Sequence, residues 1–118
     1  MRLISKGFKK ADIQAGDFED EITIELAITN LTDKDIRAFD GVLTFTDLLD
    51  NELLSTKLAI NDPVKIGKTV KWFGSIDYNK FMDSHRRFRG AQQANLKMRF
   101  APKKILFVDG STKVYADR

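Results

Sequence analysis

Residues 22–47 carry a two-residue hydrophobic rhythm broken once by a polar turn, and nothing else in the chain limits its fold as strongly. Ile22, Ile24, Leu26 and Ile28 fall on one side of an extended chain, with Thr23, Glu25, Ala27 and Thr29 on the other. The turn Asn30-Leu31-Thr32-Asp33-Lys34-Asp35 follows, and the rhythm resumes through Ile36, Gly41, Leu43, Phe45 and Asp47. A period of two belongs to strands with one face in a core and one in water.

The same reading extends along the chain. Leu3 to Ile13 reads as a first strand with Gly7 as a candidate bulge, and Gln14-Ala15-Gly16-Asp17 as a turn. The second and third strands are 22–29 and 36–47. Asp50-Asn51 signals a hairpin into a fourth strand at 53–60. Thr69–Ile76 is a fifth, with Val70, Trp72, Gly74 and Ile76 on one face and Lys71, Phe73 and Ser75 on the other. Residues 78–84 lack alternation and predict a helical turn, and His85–Gln93 reads as a basic, irregular segment. Leu96, Met98 and Phe100 restore the rhythm, Pro102 interrupts it, and Lys103–Asp109 closes with Ile105 and Phe107 inward. About seven short strands with turn residues between them predict an all-β, immunoglobulin-like antiparallel β-sandwich, with a short helical insertion near 78–84.

At 118 residues the chain has room for one core, so residues 1–118 are expected to form a single domain. A hydrophobic share of 42% is ample for that core. There is no cysteine, which excludes disulfides, thiolate metal sites and cysteine nucleophiles. No apolar run is long enough to form a membrane-spanning helix, and Met1–Lys6 does not read as a signal peptide. A native Met1 implies a cytoplasmic protein, and a recloned mature domain an extracytoplasmic one. Charge is uneven: residues 1–60 hold 7 basic and 12 acidic side chains, a balance of −5, and residues 61–118 hold 13 and 5, a balance of +8. Strands from both halves interleave in a sandwich, so much of this asymmetry is expected to cancel in space.

The run Asn30-x-Thr32-x-Lys34-Asp35, then Leu43-Thr44-Phe45-Thr46-Asp47 with Asn51 four residues on, resembles the FxLYD-type domains of bacterial envelope proteins. Gly67-Lys68-Thr69-Val70-Lys71-Trp72 resembles that family's glycine-to-aromatic strand entry. Leu43 and Thr46 stand where the family has aromatic residues. The resemblance spans residues 30–72 and implies an immunoglobulin-like sandwich on a secreted or membrane-anchored bacterial protein. It implies no catalytic residue and no cofactor.

His85-Arg86-Arg87-Phe88-Arg89-Gly90 is the sharpest local feature. Arginine forks suit carboxylate and phosphate oxygens, and an aromatic among them can stack on a base or anchor a protein partner. Tyr78, Arg86, Arg87, Phe88 and Arg89, with Lys97 and Arg99 downstream, are therefore the candidate binding residues. Lys103 and Lys104 would extend a polyanion site. The plain alternative is a solvated segment whose Phe88 anchors into the end of the sandwich.

His85 is the only histidine, and no serine or carboxylate spacing around it suggests a triad. Asp17, Glu19, Asp20 and Glu21, or Asp33 with Asp35, offer oxygens for calcium. They lack a calcium-loop pattern; the first four read as an acidic lead-in to the second strand, and Asp33 and Asp35 as turn residues. Asn30-Leu31-Thr32 fits a glycosylation sequon but reads as a turn. Phe39, Phe73 and Phe88 are candidates for an exposed apolar surface. Of Leu48-Leu49 and Leu53-Leu54, a simple hairpin turns one member of each pair outward, where the 78–93 segment or another chain can cover it. Lys6, Lys9 and Lys10 read as charges that protect an edge strand, favouring a monomer or a weak dimer. The chain is expected to be a non-catalytic interaction or structural module with a protein partner. Polyanion or nucleic-acid binding through 85–104 is the alternative.

Overall fold

The computed structural model describes residues 1–10, 14 and 20–115. The end of the first predicted strand at Ile13, most of the 14–17 turn, and the acidic residues Asp17 and Glu19 lie outside the described residues. The elements are β1 (Arg2–Lys9), β2 (Glu21–Thr29), β3 (Ile36–Thr46), β4 (Glu52–Ile60), β5 (Thr69–Asp77), α1 (Asp83–Gly90), β6 (Lys97–Phe107) and β7 (Thr112–Val114). A single 3₁₀ turn, Gln93–Asn95, leads into β6. The strands form two antiparallel sheets, β1-β2-β5 and β4-β3-β6-β7. The all-β sandwich of seven strands is as expected.

The rhythm of 22–28 becomes burial directly. Ile22, Ile24, Leu26 and Ile28 are all buried and meet Leu43 and Phe45 of β3 across the sandwich. Ala27, expected on the outer face, is buried as well. β5 keeps the predicted faces, with Ile76 buried and Phe73 70% exposed. The Trp72 ring folds along its own strand over Gly74, where any Cβ would collide with the indole.

Three expectations are corrected by bulges. Leu53 and Leu54 are both buried, because the β3–β4 register slips between Phe45 and Thr46 and so turns two consecutive β4 residues inward. Pro102 does not interrupt β6, which runs unbroken for 11 residues. The β3–β6 register shifts between Asp40 and Gly41, Gly41 pairs with Pro102, and the missing proline N–H falls beside this irregularity. Gly41 must be glycine here, since a Cβ would strike the Ala101 carbonyl oxygen and come within 2.6 Å of the Phe100 ring. On β1 the bulge lies between Leu3 and Ser5, whereas Gly7 pairs in register with Thr23.

The helix expected near 78–84 is present but lies at Asp83–Gly90, so the segment read as irregular is the helical one. Alternation fails from residue 78 because the chain turns, and the helix begins only once Asp83 supplies a negative charge to its first turn. Two ends of the sandwich result. At one, β3, β5 and the described part of β1 finish and α1 closes the gap. At the other, Ile36 and Val64 exchange backbone hydrogen bonds of 2.9 Å and Asn30 fills the opening.

Candidate functional site

Helix α1 is held from four directions, and its arginines do much of the holding. Phe88 is fully buried and its ring lies 4.6 Å from that of Phe45. Lys6 of β1 reaches the C-terminal turn, donating to the carbonyls of Phe88 (3.0 Å) and Arg89 (2.8 Å). An ammonium placed there satisfies carbonyls that have no partner within the helix and opposes the negative end of its dipole. Burial pushes the Lys6 pKa below its ordinary value. The role expected of Lys6, edge protection, is thus overtaken by a capping role.

Arg89 stacks 3.4 Å over the centre of the Phe8 ring and 5.3 Å from that of Tyr78, and these two rings meet edge to face at 5.4 Å. Arg87 pairs with Asp47 at 2.9 Å. Arg86 donates to the Lys80 carbonyl at 2.7 Å and lies 3.4 Å from Asp83. Five of the seven predicted residues, Tyr78, Arg86, Arg87, Phe88 and Arg89, therefore gather around one helix. Lys97 joins their neighbourhood through Asp50 at 2.8 Å, on the turn that Arg87 also grips. Arg99 stands apart, on β6 opposite Thr44, and its side chain makes no hydrogen bond or ion pair among the described residues.

Two expected roles change. Phe88 is a core residue and cannot stack on a base or insert into a partner, and Phe39 is also buried. Of the three phenylalanines expected at the surface only Phe73 is there. The cations do not make an uninterrupted basic face, since Asp47, Asp50 and Asp83 sit among them.

Asp47 is the residue that sequence reading undervalued. Its Oδ1 accepts the N–H groups of Leu49 and Asn51, each at 2.9 Å, and its Oδ2 accepts the Asn51 amide at 3.0 Å. Together, led by the Asn51 side chain, these bonds and the Arg87 contact hold the Asp47 carboxyl down at about 2. They also support Asp50 in the left-handed region, at φ 64°. The spacing from Asp47 to Asn51 was visible as a turn, but its link to a helix 40 residues away was not.

The tightness of this frame leaves two apolar tips in water. Leu48 and Leu49 are 53% and 83% exposed on the turn gripped by Arg87. Phe81 and Met82 are 82% and 45% exposed on the loop gripped by Arg86. Neighbouring arginines on one helix thus set both tips beside it.

His85 lines a cleft of about 310 Å³ with Ser55, Thr56, Ser75 and Asp77. Its Nδ1 accepts the Asn79 N–H at 3.1 Å, which places the proton of the neutral ring on Nε2. In that form Nε2 cannot take a proton from a hydroxyl, and Ser55 is instead bonded to Thr44 at 3.1 Å. Among the described residues no three acidic, histidine or cysteine side chains converge as a metal would require. No helix among the described residues is long and apolar enough to cross a membrane.

No family model matches the chain, and no curated protein or solved structure matches it significantly.

Proposed function

We propose that this chain is a non-catalytic interaction module, an immunoglobulin-like domain of a bacterial envelope or secreted protein, whose contact surface is the helix end of the sandwich. The observation that carries the reading is the pair of apolar tips, Leu48-Leu49 and Phe81-Met82, mounted beside one helix by Arg87 and Arg86. Clustered exposed apolar side chains mark binding sites. Aromatic residues, methionine and arginine are also the types enriched where proteins meet. The frame is tied by hydrogen bonds and an ion pair, which lowers the ordering entropy that opposes binding.

Support for the immunoglobulin-like reading is the strand order, three strands against four. Support for the bacterial envelope is the resemblance of residues 30–72, in which Asp47 and Asn51 are now seen to be hydrogen-bonded partners. The polyanion alternative is weakened by the carboxylates beside Arg87 and Lys97.

The test compares Leu49→Ser/Phe81→Ser with Leu31→Ser/Val108→Ser, which alters exposed apolar residues of the opposite end. Each protein is used for affinity capture from bacterial envelope extract at low and moderate salt. A partner lost only by the first variant, with little salt dependence, is the expected result. Retention by both variants would sink the assignment to the helix end. Steep salt dependence would favour the polyanion, because phosphate contacts release counterions.

A further inference from the structure

Strand β6 is paired unequally on its two sides. β3 accompanies it from Lys97 to Phe107, whereas β7 covers only Lys104, Ile105 and Leu106. The bonds flanking β7, Phe107 N–H to Ser111 O (2.9 Å) and Tyr115 N–H to Lys103 O (2.8 Å), extend the described cover by one residue at each end. From Lys97 to Pro102 no strand among the described residues pairs with the outer edge.

The side chains beneath register the difference. Ile105 and Phe107, inside the covered part, are 5% and 6% exposed. Met98, Phe100 and Pro102, which point the same way from the uncovered part, are only half-buried. Met98 and Leu96 line an open cleft of about 270 Å³ with Met1 and Leu3 of the facing sheet. The opposing edge, β1, is already occupied, because Gln93 Nε2 donates to the carbonyls of Leu3 (3.0 Å) and Ile4 (3.1 Å) and a bulge breaks the register there.

We propose that the β6 edge from Lys97 to Ala101 is a strand-acceptor site, which takes an extended peptide of alternating apolar and acidic side chains into the lane that β7 leaves open. Backbone hydrogen bonds along such an edge give affinity, and alternate side chains give selectivity. Apolar residues of the incoming strand cover Met98 and Phe100. Acidic residues face Arg99, and Lys97 where it already holds Asp50 at 2.8 Å, on the outer surface, where opposite charges across a strand pair are favourable and like charges are not. A second copy of this chain is disfavoured as the occupant, since antiparallel β6–β6 pairing sets these cations against each other. Pro102, with no N–H, closes the site at its far end. The site adjoins the Leu48-Leu49 turn through the Lys97–Asp50 pair (2.8 Å), so its test is read at Arg99 and the 98–101 amides, which the tip variants do not alter.

The experiment titrates the full ¹⁵N-labelled chain with a capped seven-residue peptide of alternating valine and glutamate. Its lysine-for-glutamate counterpart, an N-methylated glutamate peptide and the Arg99→Glu variant are run alongside. The expected result is saturable shifts and slowed amide exchange confined to residues 97–101. The glutamate peptide should bind about tenfold more tightly than the lysine peptide, a preference narrowed or reversed by Arg99→Glu. The N-methylated peptide should not bind. Equal response to both charges, shifts scattered over the surface, unimpaired binding of the N-methylated peptide, or no response at millimolar peptide would each overturn the proposal. Concentration-dependent broadening of the 97–101 amides without peptide would show self-pairing instead, and would overturn it too.

Discussion

The two ends of this sandwich solve one problem, how to close the gap between two sheets, with opposite chemistry. The helix end is stoppered by an aromatic side chain, Phe88, brought in on an inserted helix and seated on Phe45. The other end is stoppered by an amide. Asn30 is 2% exposed, donates to the carbonyls of Lys34 (2.8 Å) and Val64 (2.9 Å), and accepts the N–H and hydroxyl of Thr32 at 2.8 and 2.6 Å. An amide plug needs short turns that bring backbone groups to it, so its loops are fixed by local hydrogen bonds. An apolar plug needs no partners of fixed direction, and this one arrives on an element that also carries arginines outward. Both ends leave apolar residues in water, Leu31, Ile66 and Val108 at one and Leu48, Leu49, Phe81 and Met82 at the other. Among the described residues the helix end adds an exposed aromatic, Phe81, and three arginines on one helix, whereas the other end has Arg37, bonded to the Asn61 carbonyl at 2.7 Å, which is why the proposed contact surface lies at the helix end.

Removing the plugs tests the contrast most directly. Phe88→Ala should cost about 3–5 kcal/mol in urea unfolding, the usual range for truncating a fully buried phenylalanine. The loss should be accompanied by faster amide exchange across α1, because Phe88 is the one buried side chain of that helix. An exchange pattern unchanged in α1 would mean that Lys6, Arg87 and Arg89 hold the helix without its anchor.

Asn30→Ala should cost less, about 1–3 kcal/mol, by removing two donors and leaving the Thr32 N–H without its acceptor, while the Val64 carbonyl keeps the Ile36 N–H and the Lys34 carbonyl keeps the Thr32 hydroxyl. Leucine should not rescue it, since the site wants donors rather than volume. A leucine variant as stable as the natural protein would erase the distinction between the ends. The same geometry bears on the sequon, whose Asn30 Nδ2 is buried and already donating twice.

What the sequence disclosed follows the reach of its signals. Alternation is local, so strands 22–29, 36–47 and 69–76 could be placed within a residue or two. The bulges that turn both Leu53 and Leu54 inward and carry β6 through Pro102 depend on the partner strand's register, which no single segment encodes. At the site, the clustering of Arg86, Arg87, Phe88 and Arg89 was legible as a motif, but not its polarity. Phe88 faces in and the arginines face out because the segment is helical, and six polar residues with one phenylalanine and a glycine carry too little periodicity to say so. Lys6, Asp47 and Phe8 belong to the same cluster from 40 to 83 residues away, and only the fold brings them there.

Acid separates the ends by a smaller effect. Each holds one carboxyl at about 2, against an ordinary 3.8: Asp47 mainly through Asn51, and Asp109 mainly through the Ser111 hydroxyl with Lys34 behind it. A folded pKa below the unfolded one contributes stability that is present above about pH 4 and is lost as pH falls from there through 2. Melting temperature should therefore decline across that window, and Asp47→Asn should make the decline shallower while lowering stability at neutral pH. The variant keeps an oxygen for the turn but surrenders the charge that grips Arg87, so exchange should quicken in α1 as well as in 47–51. Asp109→Asn should flatten the acid limb by a similar amount and leave α1 untouched. If both variants loosen α1 alike, the two ends are coupled through the sheets. If only Asp47→Asn does, the helix end opens as a unit of its own, and its apolar tips are released by acid before the rest of the sandwich yields.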